Sequence, residues 1–295
     1  MIFRNWQGTK IPALGFGTYE LDNASAEHMV AEAAKIGYRH FDTAQMYHNE
    51  EGVGRGLKAS GLSRDDYFLT TKIWPDNFQS GDLQTSVVES LRKLDLDHVD
   101  LLLLHWPNDD IPLRETIAAL NEVKNLGMTH LIGISNFPTA LIERAVGHSD
   151  FPLAVNQVEY HPYLDQSKVL ECLRSHDMLL TAYCPLARAK VMNDETLVAI
   201  GKAYGKSPAQ VTLRWLLQQD GVMAIPKSGS PKNAKANFDI FDFELSDSDM
   251  ADINELARPD GRLIDPEFAP EWDQAENRRI SPGRQPRLVS HMRKA

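Results

Sequence analysis

The sequence predicts one large α/β domain, a parallel (β/α)8 barrel with a β-hairpin at its bottom. Eight short, nearly continuous apolar segments read as strands buried on both faces. About 20 to 30 residues with helix signals separate most of them. Each strand ends in a hydrogen-bonding or glycine residue, as expected at the catalytic face of such a barrel. An open doubly wound sheet would need GxGxxG after its first strand, and Gly52-Val53-Gly54-Arg55-Gly56 is wrongly spaced and falls inside a helical stretch.

The opening segment turns at Gln7-Gly8, which predicts the hairpin. The strands then follow as ALGF ending at Phe16, RHFD (39–42), YFLTTK (67–72), VDLLLLHW (99–106), THLIGISN (129–136), LAVNQVEY (153–160), LLTAY (179–183) and VMAIPK (222–227). Between them, Leu83, Val87, Leu91 and Leu94 share a helix face, while Glu89 and Lys93 pair at i,i+4 on another. Ser25 and Ser167 are expected to start helices, Pro138 and Pro208 to lie near helix starts, and Gly37 and Gly127 near ends.

Lys plus Arg number 31 against 41 for Asp plus Glu, a net charge of −10, which disfavours binding to nucleic acid. Charge reverses only at the end, where Arg278, Arg279, Arg284, Arg287, Arg293 and Lys294 face Glu276 alone; residues 274–295 read as a solvated basic tail behind a domain spanning 1–273. Two cysteines, Cys172 and Cys184, make neither a disulfide framework nor a metal cluster. The N-terminus lacks a signal-peptide pattern and the longest apolar run is too short for a bilayer, so a cytoplasmic protein without membrane contact is expected.

The strand ends read, in order, Gly17-Thr18, Asp42, Lys72, His105, Ser135-Asn136, Gln157 with Glu159, Tyr183, and Lys227-Ser228. Tyr47 lies in the loop after Asp42. An Asp can hold the Lys72 ammonium, and a cation about 4 Å from a phenol is worth up to ~4 kcal/mol at an effective dielectric of 20, enough to draw Tyr47 towards neutrality as a general acid. His105 would orient a carbonyl oxygen and stabilise charge developing on it. Protonating a carbonyl to an alcohol also needs hydride, which side chains lack, so reduction implies a nicotinamide cofactor. Ser135, Asn136 and Gln157 suit a carboxamide, Tyr183 a ring face, and Lys227 with Ser228 a phosphate before a helix.

The ordered set GFGTYE, YRHFDTAQMYHNEEGVGRGL, TTKIW, VDLLLLHWP, IGISNF, NQVEYHPY, TAYCPL and IPKS resembles the aldo-keto reductase superfamily along residues 1 to about 273. RLIDPEFAPEWD further resembles its bacterial 2,5-diketogluconate reductase branch. The resemblance implies NADPH-dependent reduction of an aldehyde, dicarbonyl or keto-sugar acid, with a catalytic tetrad of Asp42, Tyr47, Lys72 and His105. It implies cofactor contacts at Gly17, Thr18, Asp42, Ser135, Asn136, Gln157, Tyr183, Leu186, Lys227, Ser228 and Asn237. Tyr19, Trp74 and Trp106, with Tyr47 and His105, would wall the substrate pocket. Asn233 stands where the family usually has an Arg, and Ala236 where it has a Glu, which leaves NADH open beside NADPH because a bidentate partner for the ribose 2′-phosphate is gone. A Schiff-base aldolase using Lys72 and an NADPH-binding redox sensor with little turnover are the rival readings. The barrel is complete without a partner, so a monomer is expected.

Overall fold

The computed structural model describes residues 1–273; the segment 274–295, expected as a basic tail, lies outside the described residues. Strands β1 (Phe3–Trp6) and β2 (Thr9–Pro12) form an antiparallel hairpin in which Phe3 faces Pro12 and Trp6 faces Thr9. Gln7 and Gly8 turn it with φ of 44° and 85°, the left-handed pair that a tight two-residue hairpin demands. Arg4 donates to the carbonyls of Leu217, Gln219 and Val222, and Trp6 to that of Asp177. These carbonyls precede or begin the last two barrel strands, so the hairpin sits at the amino-terminal end of the barrel.

The remaining elements alternate: β3 (Phe16–Gly17), α1 (Asn23–Ile36), β4 (His40–Asp42), α2 (Glu50–Ser60), β5 (Phe68–Ile73), α3 (Asp82–Leu94), β6 (Val99–Leu104), α4 (Leu113–Asn125), β7 (Thr129–Ser135), α5 (Thr139–His148), β8 (Val155–Glu159), α6 (Ser167–Ser175) and β9 (Leu179–Tyr183). Two helices, α7 (Glu195–Tyr204) and α8 (Pro208–Gln218), precede β10 (Val222–Ala224), and α9 (Pro231–Phe238) and α10 (Asp247–Asn254) follow it. Neighbouring strands from β3 to β10 pair in parallel, in sequence order. The ring closes where Leu14 bridges Ala224 and Gly17 bridges Lys227. Gly15 N–H reaches Ala224 O at 2.8 Å and Ala224 N–H reaches Ala13 O at 2.9 Å. The eight-stranded parallel barrel and its hairpin are thus present.

Local signals explain most helix ends. Pro208 opens α8 behind a Ser207/Gln210 capping box, and Gly37 ends α1 at φ 124° with its N–H on Ala33 O and Ala34 O. Ser25 does not start α1: the cap is Asp22, whose carboxylate accepts the Ser25 amide at 2.7 Å, so Ser25 is the third helical residue. Ser167 opens α6 as expected, and Pro138 stands just before α5. Glycines 52, 54 and 56 lie inside α2 as contact surface. A Cβ on Gly52 would come within 2.2 Å of Asn23 O, and one on Gly54 within 2.4 Å of Leu94 O. They let α2 press against the start of α1 and the end of α3. Among the described residues no helix is long and apolar enough to cross a membrane.

Candidate active site

The polar residues expected at the strand ends meet at the carboxyl end of the barrel. In β5 successive side chains point to opposite faces. Thr71 therefore turns outward, donating to Glu50 Oε1 at 2.7 Å, and Lys72 turns into the barrel with no exposed surface. Its Nζ donates to Asp42 Oδ1 at 2.5 Å, Thr43 O at 2.8 Å and the Tyr47 hydroxyl at 3.1 Å. All three ammonium donors are placed. Gln157 reaches across from β8 and donates its amide to Asp42 Oδ2 at 2.7 Å, so both carboxylate oxygens are held.

Tyr47 reaches the mouth on a 3-10 turn, Gln45–Tyr47, directly behind β4. Its ring meets His105 edge-on at 5.7 Å and Tyr19 at 5.1 Å. His105 follows β6; its amide is tied to Ile73 O and its carbonyl accepts the Asn136 amide at 3.0 Å, which fixes the ring's base. His105 Nδ1 is buried and has no partner among the described residues.

Burial dominates the electrostatics. It holds the Tyr47 phenol well above its ordinary value, with Asp42 and Tyr19 adding to the rise. The expected lowering by Lys72 does not occur, because the Asp42 carboxylate against that ammonium cancels most of its field. Burial also lowers Lys72 against the opposing pull of Asp42. His105 is driven well below 6.5, first by burial and then by Lys72. The site therefore combines a neutral phenol, a neutral imidazole and a compensated ion pair.

Ser135, Asn136, Gln157 and Tyr183 gather beside this group. Ser135 Oγ donates to Gln157 O at 2.7 Å, Asn136 donates to Ser135 Oγ at 3.2 Å, and Tyr183 donates to Asn136 Oδ1 at 2.8 Å. Gly17 and Thr18 line the closing seam: a Cβ on Gly17 would meet Ile225 O at 2.7 Å, and Thr18 Oγ1 donates to Asp42 O at 2.9 Å. Across the seam, Lys227 lies 3.7 Å from Glu20. Ser228 Oγ receives the Ser230 amide at 3.0 Å and shapes the entry to α9, where Asn233 is exposed and Asn237 buried. Leu186 is half-buried in the loop after β9.

Of the expected walls, Trp74 meets His105 edge-on at 5.5 Å, Trp106 is buried, and Tyr19 is 45% exposed. The sequence reasoning did not name Phe268 and Trp272. Phe268 packs its ring against Trp74 at 5.9 Å and Trp106 at 5.4 Å, and Trp272 meets Trp106 at 6.1 Å. Their signal was two aromatic residues in a Pro-containing segment without periodicity, which reveals no path.

The model of the Aldo/keto reductase family matches residues 13–258. The chain belongs to the aldo-keto reductases. It is 40% identical over 267 residues to methylglyoxal reductase DkgB of Escherichia coli O157:H7, covering 89% of this chain and 99% of that one. It is 39% identical to a glyoxal reductase of Bacillus subtilis (strain 168), covering 84% and 90%. A crystal structure assigned as a 2,5-diketo-D-gluconic acid reductase B superposes with a TM-score of 0.90 at 51% identity, over 92% and 98% of the chains. The Bombyx mori aldo-keto reductase in complex with NADP gives 0.83 at 32% identity, over 90% and 95%. This aldo-keto reductase is accordingly an oxidoreductase, and its resemblance to the diketogluconate reductase branch stands.

Proposed function

We propose that the protein reduces small carbonyl compounds to alcohols with NADPH, acting as a cytoplasmic monomer on dicarbonyls such as methylglyoxal or keto-sugar acids such as 2,5-diketogluconate. The observation that carries this reading is the hydrogen bond from the buried Lys72 ammonium to the Tyr47 hydroxyl, in a group completed by Asp42 and His105. Relatives named for methylglyoxal and glyoxal reduction support the substrate class, and the NADP-bound relative supports the cofactor.

Asp42 fixes the Lys72 ammonium, which directs one N–H at the phenol oxygen and thereby leaves the phenol proton free to point to substrate. Tyr47 donates that proton to the carbonyl oxygen, and the ammonium stabilises the phenolate as it forms. His105, kept neutral, offers a ring nitrogen to the same oxygen and orients it. Tyr19, Trp74 and Trp106 bound the pocket with apolar surface that excludes water.

Ser135, Asn136, Gln157 and Tyr183 would hold the nicotinamide end of NADPH; Gln157 Oε1, which has no partner among the described residues, is free to accept its carboxamide. Gly17 and Thr18 border the same groove, and Leu186, Lys227, Ser228 and Asn237 would hold the phosphate side. When bound, NADPH supplies the hydride. Asn233 offers no fork to the ribose 2′-phosphate, so NADH remains a weaker donor rather than an excluded one.

The placement of Lys72 speaks against the aldolase reading: its ammonium is engaged by three acceptors and carries no exposed surface to present to a carbonyl. A sensor with little turnover does not account for a proton donor and a neutral imidazole aimed at one point. Purified protein given methylglyoxal, 2,5-diketogluconate or an aromatic aldehyde should consume NADPH, with NADH in parallel as the slower donor. Binding of NADPH without consumption on any of the three carbonyls would overturn the proposal.

A further inference from the structure

After α10 the chain returns across the mouth of the barrel as a strap, residues 261–273, and it is fastened at three places. At the first, Arg258 N–H donates to Tyr163 O at 3.1 Å, and Gly261 approaches so closely that a Cβ would lie 1.7 Å from that same oxygen. At the last, Asp273 accepts both the amide and the hydroxyl of Thr139, at 2.9 and 2.6 Å, and so caps α5. Between these stands Glu159, the final residue of β8.

Glu159 has no exposed surface. Its Oε1 accepts the Leu263 amide at 2.7 Å and its Oε2 the Ile264 amide at 3.0 Å. His161 Nε2 lies 2.9 Å from Oε1, and the Arg262 guanidinium lies 3.8 Å from Oε2. None of these bonds goes to Asp42, Tyr47, Lys72 or His105. A carboxylate buried at the catalytic end is costly to keep there, yet this one spends its acceptors on consecutive backbone amides of the strap. Charge-assisted bonds to two adjacent N–H groups fix the direction of the chain as well as its position. Beyond them the strap carries Phe268 over Trp74 and Trp106, and Trp272 lies under the Arg262 guanidinium at 3.7 Å while touching Trp106. Phe268 is 54% exposed and rests on the Trp74 and Trp106 rings. Its turn is closed by Ala269 N–H on Pro266 O and by Trp272 Nε1–H on Asp265 Oδ1, both at 2.8 Å, and the fastenings on either side hold that turn over the mouth.

We propose that Glu159 is a positioning residue that latches the strap and thereby sets Phe268 as the roof of the substrate pocket, selecting for carbonyl substrates large enough to touch that ring. The proposal rests on the carbonyl-reductase reading for its kinetic arm only. Glu159→Gln keeps the size but has one oxygen, so its amide nitrogen must meet one of the two strap N–H groups. The KM for an aromatic dicarbonyl such as phenylglyoxal should rise about tenfold, the range of one lost aromatic contact with some loosening. The KM for methylglyoxal, kcat and NADPH affinity should stay within about twofold. Phe268→Ala should produce the same split, and the double variant should add little, because both act on one contact.

Hydrogen exchange reads the latch without any turnover: the Leu263 and Ile264 amides should be protected in the unmodified protein and should lose protection in Glu159→Gln, while the Leu179 amide, bonded to Ala154 O inside the barrel, keeps its own. Should Glu159→Gln fail to fold, the protection pattern of the unmodified protein and of Glu159→Asp, whose shorter side chain cannot span both amides, carries the test. Fast exchange at Leu263 and Ile264 in the unmodified protein, or an equal KM change for both dicarbonyls, or full additivity with Phe268→Ala, would overturn the latch. An unmodified protein without NADPH turnover would overturn the reductase reading instead and leave the exchange result standing.

Discussion

Lys72 directs all three of its N–H donors at fixed acceptors, and one of those acceptors is the Tyr47 hydroxyl, the proposed proton donor. Tyr47→Phe removes the hydroxyl and little else, since the ring contacts to His105 and Tyr19 survive the change. We expect kcat to fall about a hundredfold or more while NADPH affinity, measured by fluorescence titration, is retained; near-full turnover would remove Tyr47 from the chemistry. Asn233 sits exposed on α9, where the guanidinium of an introduced Arg has room to form a fork. Asn233→Arg should tighten NADPH more than NADH, and an unchanged ratio of the two dissociation constants would place the 2′-phosphate elsewhere. That Asp42, Lys72 and His105 would meet was legible because polar groups ending apolar strands stand out, and Tyr47 was legible only from its place in the loop behind Asp42. The direction of the Tyr47 shift was not, because it depends on how close Asp42 comes to Lys72 and on how much of the phenol is withdrawn from water, which only the folded chain sets.

Helix α2 shows what an element asks of its sequence. Gly54 faces the carbonyl of Leu94 so closely that Gly54→Ala must push α2 off the end of α3, at about 1–3 kcal/mol as in other overpacked sites. Gly147 in α5 has nothing within 4 Å of its would-be Cβ, so Gly147→Ala should be neutral or stabilising by up to about 1 kcal/mol. Urea midpoints of the two variants check the contrast, and equal shifts would show that helix propensity, not contact, governs α2. The strands and most helices were readable from apolar runs, Pro208 and Gly37. The start of α1 was missed because Asp22 and Ser25 are both good caps and only backbone direction at Asp22 decides between them. The strap's course was unreadable for a different reason: it has no periodicity, and its fastenings are to Glu159 and Thr139, more than a hundred residues away.

At the level of the whole molecule, two buried imidazoles tie stability to pH. His105 at the mouth is held well below 6.5, and His40 at the floor, bonded to Pro12 O at 2.9 Å, is also lowered, in both cases chiefly by burial. Their folded values lie under the unfolded one, so as pH falls beneath about 6.5 the unfolded chain takes up protons that the folded chain refuses. Stability is then lost at up to about 1.4 kcal/mol per pH unit for each histidine. Denaturant midpoints at neutral pH and at about pH 5 should differ accordingly, and a flat profile would show that these rings protonate in place. The closing seam has a consequence for synthesis. Gly15 and Gly17 bond to Ala224 and Pro226, so the first barrel strand finds its second neighbour only in the last one. Loop-closure entropy makes that pairing the most remote in the ring. While the ribosome is still reading the middle of the message, a nascent chain can stack successive strand and helix units but exposes both raw edges of an open sheet. Thr18 and Lys227 flank that joint, so the groove between them is assembled only after the codons for both β3 and the segment following β10 have been translated.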